Sequence, residues 1–119
     1  MEKTETPEYE VIITDTAEIY FYELAEYLYE YYSLNRAEDI LEDIQHTTES
    51  LSFFPEKGSV ESKLAHLKNK YRFILYRRTS TTTIKIIYYI DKVVKKVFVT
   101  DFFPTEKDDQ EILKRNKGE

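Results

Sequence analysis

The chain of 119 residues has no cysteine, so no disulfide framework can brace it and no thiolate can hold a metal. Histidine is scarce, and His46 and His66 are too few for a His-rich metal site. Glycine occurs only 2 times, which leaves few tight turns and favours regular elements. No apolar run approaches the ~18 residues that a membrane-spanning helix needs. Met1 to Pro7 is polar and acidic, without the basic start and apolar stretch of a signal peptide. There is no phosphate-binding loop, no dinucleotide glycine pattern, no metal-ligand spacing and no nucleophilic triad. These absences predict a soluble cytoplasmic protein of one domain, with no metal and no cofactor.

What is present is tyrosine and an uneven charge. The 11 tyrosines fit either a core with a wet edge or an adhesive surface. Residues 1–62 hold 16 of the 23 acids but only Lys3, Arg36 and Lys57 as cations, a balance of −13. Residues 63–119 balance at +7, which gives the net charge of −6. Such asymmetry fits a polar partner on the basic side, or acidic helices attracted to basic strands.

Apolar periodicity divides the chain into elements. Residues 1–7 read as a tail. Glu8 to Thr14 alternates as a half-buried strand, and Asp15 with Glu18 marks a helix start. Ala17, Phe21, Leu24, Leu28 and Tyr31 form a helical stripe that Tyr20, Tyr27 and Tyr32 widen. Ser33-Leu34-Asn35 breaks that helix. Ala37, Ile40, Leu41, Ile44, Thr48 and Leu51 form the apolar face of a second helix, which ends at Phe53-Phe54-Pro55. The two helices make an αα-hairpin. Residues 55–69 read as a polar loop, long for so small a domain.

Three strands follow at about 70–78, 82–91 and 95–103, with turns at Thr79-Ser80-Thr81 and near Asp91-Lys92. Residues 104–119 read as a short helix or tail anchored by Ile112 and Leu113. The predicted architecture is α+β in two layers, β-α-α-β-β-β, a helical hairpin on a mainly antiparallel sheet. The domain proper is residues 8–103.

Strand alternation assigns faces. Arg72, Ile74, Tyr76 and Arg78 share one face of the first of these strands, and Tyr71, Phe73, Leu75 and Arg77 the other. On the next strand Ile84, Ile86, Tyr88 and Ile90 should be core, and Lys85 and Tyr89 should be open. Cations interleaved with aromatics can bind RNA by phosphate contact and stacking, or an acidic protein by charge. They can also be edge-strand cations that discourage pairing. The candidate partner-binding set is Arg72, Arg78, Lys85, Tyr89, Phe102 and Phe103. The candidate set for a ribonuclease is Arg72, Arg77, Lys85 and Tyr89.

Several strings together resemble the RelE/ParE superfamily of toxin–antitoxin modules, nearest the ParE or plasmid-stabilisation branch. They are Tyr9 to Ala17, Leu24 to Tyr32, Arg36-Ala37-Glu38, Leu51 to Pro55 with Gly58, Lys70 to Phe73, and Tyr88-Tyr89-Ile90. The resemblance spans about residues 8–109. It implies a small toxin wrapped by a cognate antitoxin. ParE-type members poison DNA gyrase, and RelE-type members cut mRNA on the ribosome. Many members carry a His and Arg pair on the last strand, where this chain has Asp101 and Phe103. That substitution removes a proton carrier and a cationic stabiliser, and the acidic net charge weakens RNA binding. The resemblance therefore implies a toxin that binds, not an enzyme. A ribonuclease or an inert member is the alternative, and a dimer is left open.

Overall fold

The computed structural model describes residues 7–77 and 83–117. In chain order the elements are β1 (Glu10–Ile13), α1 (Asp15–Tyr31), α2 (Leu34–Glu49), β2 (Ser59–Val60), β3 (Tyr71–Arg77), β4 (Thr83–Asp91), β5 (Lys96–Pro104) and α3 (Glu111–Asn116). Short 3-10 turns lie at Ser50–Ser52 and Ser62–Leu64. This is the α+β order expected from the sequence, with β2 added inside the stretch read as loop. Arg78 and the turn at residues 79–81 lie outside the described residues.

Thr14, and not Asp15, caps α1, because the Ala17 N–H donates to its hydroxyl at 3.1 Å. Asp15 and Glu18 instead occupy the first turn, where the helix dipole favours acids. Ser33 caps α2 in the same way, accepting from the Arg36 N–H. The buried residues of α1 are Ala17, Leu24 and Leu28, and those of α2 are Ala37, Ile40, Ile44 and Thr48. The α1 stripe is narrower than the sequence suggests: Tyr27 and Tyr31 are 45% and 65% exposed. An aromatic at helical spacing carries a wet hydroxyl, so spacing alone does not bury it.

The sheet runs β1-β5-β4-β3-β2. The pair β1–β5 is parallel and the other pairs are antiparallel. The helical hairpin covers one face, burying Ile74, Tyr76, Ile84, Ile86, Tyr88, Val97, Val99 and Phe102 with the helix residues. The expected core face of β4 is therefore correct. The expectation that the other face is open is not. That face holds a second cluster of Leu64, Tyr71, Ile87, Phe103 and Ile112, edged by Phe73 and Tyr89. Leu64 arrives on the 3-10 turn and Ile112 on α3, so two segments that alternation says nothing about return to cover the strands.

A bulge in β5 explains a break in its alternation. Tyr88 faces Val99 and Ile87 faces Asp101, which leaves Thr100 without a residue opposite. The extra residue resets the phase. Val99 and Phe102, three positions apart, both join the helix-side cluster, and Thr100 and Asp101 both reach α3.

Gly58 sits where the loop before β2 crosses the sheet. Its N–H donates to the Tyr88 hydroxyl at 3.1 Å, and that hydroxyl donates to the Pro55 carbonyl at 2.7 Å. A Cβ on Gly58 would lie 2.6 Å from the Phe73 carbonyl oxygen and collide with the Tyr88 hydroxyl. Gly58→Ala should therefore cost about 1–3 kcal/mol through overpacking against backbone. Urea denaturation of the two proteins tests this, and an unchanged midpoint would show that the loop moves aside freely.

Candidate functional site

Cations placed among aromatics on β3 and β4 can serve a partner only if their charge is still free. Arg72 lies on the helix-side face, opposite Tyr88. Its guanidinium donates to the Gly58 carbonyl at 2.8 Å and the Glu56 carbonyl at 3.4 Å, so it clamps the loop before β2. Burial pushes the neighbouring Tyr88 phenol up from its ordinary value, more than its Gly58 hydrogen bond and the Arg72 charge pull it down.

Lys85 lies on the other face. Its ammonium meets the buried Glu61 carboxylate at 2.8 Å and sits 4.3 Å from the centre of the Phe73 ring. The second Glu61 oxygen accepts from the Lys63 N–H at 3.0 Å. Glu61 is only 2% exposed, so the loop carries a counter-ion to Lys85 into the second cluster. Tyr89 is half-buried, packed edge-on to Tyr71 and stacked on Phe98. Arg77 is exposed at the end of β3, on the face of Lys85. Arg72 and Lys85 thus lie on opposite faces of the sheet. The proposed ribonuclease set does not converge on one point.

Phe102 and Phe103 are corrected as partner contacts, since they are 3% and 0% exposed. Phe102 packs against Phe21 on the helix side. Phe103 belongs to the second cluster, with the Arg115 guanidinium 5.2 Å from its ring centre. Ordinary strand alternation sends these adjacent phenylalanines to opposite faces of the sheet, and both faces are covered.

The strongest polar constellation in the described chain was not singled out as a unit from the sequence. Asp101 is fully buried, and Arg115 of α3 grips it with two hydrogen bonds of 2.6 and 3.0 Å. The Asn116 amide donates to the same carboxylate at 3.0 Å and to the Ile112 carbonyl at 2.8 Å. The Thr100 hydroxyl donates to the Asn116 carbonyl oxygen at 2.6 Å. Arg115 also stacks 3.9 Å from the Tyr20 ring centre, while the Tyr20 hydroxyl donates to the Arg115 carbonyl. Burial pushes the Asp101 carboxyl up, and Arg115 and then Asn116 hold it back down. An acid in the middle of an apolar strand is the one sequence signal for this network, because a buried carboxylate needs a partner.

Two grooves flank α1. One, of about 210 Å³, runs between α1 and the segment after β5, with Tyr20, Tyr27, Glu23 and Glu106 among its walls. The other, of about 390 Å³, lies between α1, the end of α2 and β1. Among the described residues no cluster of side chains could hold a metal ion, and no helix is long and apolar enough to cross a membrane.

No protein-family model and no curated protein matches the chain. A solved structure does. A chain of the structure titled "Chromosomal ParDE TA system from P. aeruginosa" superposes with a TM-score of 0.64 at 10% identity. The superposition covers 83% of this chain and 98% of that one. The fold is ParE-like. At such identity the ParE-like likeness is carried by arrangement, a helical hairpin on a mainly antiparallel sheet closed by a parallel edge strand. The fold expected from the sequence resemblance is thus the fold observed.

Proposed function

We propose that the chain is the toxin of a toxin–antitoxin pair, of the ParE-like kind, and that it acts inside the cell by binding a target such as DNA gyrase. A cognate antitoxin holds it inactive. The observation that carries this reading is the fold likeness, which takes in nearly the whole of the ParDE chain. The engagement of the cations favours binding over cutting. RNA cleavage needs cations gathered on one phosphate as charge develops there. Arg72 holds loop carbonyls and Lys85 pairs with Glu61, which leaves Arg77 as the exposed cation of the ribonuclease set, and Arg115 is held by Asp101.

Expression from a tightly controlled promoter should arrest growth with signs of DNA damage, and the purified chain should inhibit supercoiling by gyrase in vitro. Co-expression of a small protein encoded beside it should restore growth. Arrest with cleaved mRNA and intact DNA would transfer the reading to the RelE-like ribonuclease branch. Undisturbed growth at high expression would leave an inert member of the fold.

A further inference from the structure

The hairpin of β4 and β5 turns at Lys92-Val93-Val94-Lys95, and that composition runs against what a turn requires. Turns favour glycine, asparagine, aspartate, proline and serine, whereas valine is stiff and favours strands. Val93 is 92% exposed, the barest large apolar side chain among the described residues, and Val94 is 53% exposed. Burial within the chain therefore rewards Val93 hardly at all. The turn is nonetheless firmly built. The Asp91 carboxylate accepts from the Val93 and Val94 N–H groups at 3.0 and 3.4 Å. Lys95 takes a left-handed backbone, φ 56°, which glycine or asparagine adopts at lower cost. A loop shaped for stability alone would carry polar turn formers here.

Two more exposed apolar side chains lie at the same end of the sheet. Lys92 pairs with Glu56 at 3.3 Å, and Tyr88, near the end of β4, holds the Pro55 carbonyl. The segment from Phe53 to Glu56 thus runs beside the turn. Phe53 and Phe54, 6.4 Å apart between ring centres, are both exposed. One bare valine is ordinary on a protein surface, but four apolar side chains at one end form a patch. The other lysines of the turn are paired as well, Lys95 with Glu8 at 3.2 Å and Lys96 with Glu10 at 4.0 Å. The result is a convex apolar tip inside a collar of matched charges.

We propose that this tip is the part of the chain that docks on its target. Val93 and Val94 enter a shallow apolar pocket on a folded protein, and Phe53 and Phe54 cover its rim. A convex apolar surface is desolvated best by a concave apolar one. Nucleic acid and an anionic membrane would both call for free cations, and each of these three lysines already has a glutamate beside it. Exposed pairs of this kind add little to folding, so the collar acts on the choice of partner more than on the turn. The inference rests on the toxin reading above and names the surface by which that toxin engages its target.

The test uses the full chain, with growth arrest on expression and binding to purified DNA gyrase as readouts. The double variant Val93→Ser with Val94→Ser should relieve the arrest and weaken binding about tenfold or more, since two apolar side chains lose their pocket. Its melting temperature should stay within about 3 °C of the parent, as fully solvated positions allow. Val93→Ile with Val94→Ile should keep both activities. Val60→Ser, at a valine 65% exposed on β2, should leave both unchanged. Raising the salt concentration should alter binding by no more than about threefold, because the collar brings no unmatched charge to the contact.

A serine variant that arrests growth and binds as the parent does overturns the inference and leaves the toxin reading standing. A parent that neither arrests growth nor binds gyrase overturns the toxin reading, and the inference with it. Where the parent arrests growth through another target, relief of arrest in the serine variant decides alone. A melting temperature that falls steeply in the serine variant assigns the valines to the fold, and a binding constant that falls steeply with salt assigns the contact to charge. Either result overturns the docking tip. So does dimerisation of the parent that the serine variant abolishes, since a second copy would then cover the valines.

Discussion

Replacing Phe103 by Ala should lower stability by about 3–5 kcal/mol, as truncating a fully buried phenylalanine does. The ring is 0% exposed and packs with Leu64, Tyr71, Ile87 and Ile112, on the face where an open partner-binding surface was expected. A residue reserved for a partner would behave differently: its loss in the free protein falls within about 0.5 kcal/mol. Phe54, 54% exposed, supplies that comparison within the same chain. Thermal melts of Phe103→Ala and Phe54→Ala decide the matter. A midpoint roughly 15 °C lower for the first and almost unmoved for the second is expected for a domain of this size. Similar midpoints for the two would mean that α3 and the loop before β3 do not cover the sheet in solution.

Arg115→Ala should be as damaging, for an electrostatic reason. It leaves the Asp101 carboxylate, 0% exposed, with its cation gone. Breaking one side of a buried ion pair costs about 3–5 kcal/mol. The loss should depend on pH. Burial already holds the folded Asp101 pKa above its unfolded value, and removing Arg115 deletes the largest opposing influence. The folded variant then binds a proton more tightly than the unfolded chain. Its stability is regained as pH falls through the raised pKa and is lost as pH rises.

Urea midpoints of the variant and the parent should therefore differ most near neutral pH and converge in mild acid. A gap that widens on acidification would contradict this account. The paired change Asp101→Asn with Arg115→Met should recover much of the loss, because it removes both charges from the interior together.

These two residues also mark how far the sequence could be read. The helical hairpin and the strands were legible because their signals are local: Ala37, Ile40 and Ile44 repeat at helical spacing, and Ile84, Ile86 and Tyr88 alternate. The coverage of the second face was not, because it depends on where distant segments return. Ile112 was visible as an apolar anchor, but nothing in its spacing tells that it lands beside Phe103. Alternation placed Lys85 and Tyr89 correctly on one side of β4, and then left them open, because it carries no information about Glu61 arriving from the loop. The bulge at Thr100 defeats alternation outright. Counting by twos puts Val99 and Phe102 on opposite faces, whereas the extra residue brings them to the same one. Of the candidate site, residue types were readable and their engagement was not, since an arginine held by carbonyls and one awaiting a phosphate look identical in a sequence.

The parallel pairing of β1 with β5 has a consequence in time. The strand at the beginning of the chain finds its partner only near the end: Glu8 and Lys95 pair across 87 residues, and Tyr20 meets Arg115 across 95. Contacts so far apart in sequence form late, and a ribosome needs roughly 4–17 s to make the intervening stretch. Through that interval β1 lacks its strand partner, and the groove beside it lacks Phe102. A nascent chain can therefore build its helical hairpin before the β1 edge of the sheet is in place. The order of synthesis delays completion of the sheet until the last strand has been made.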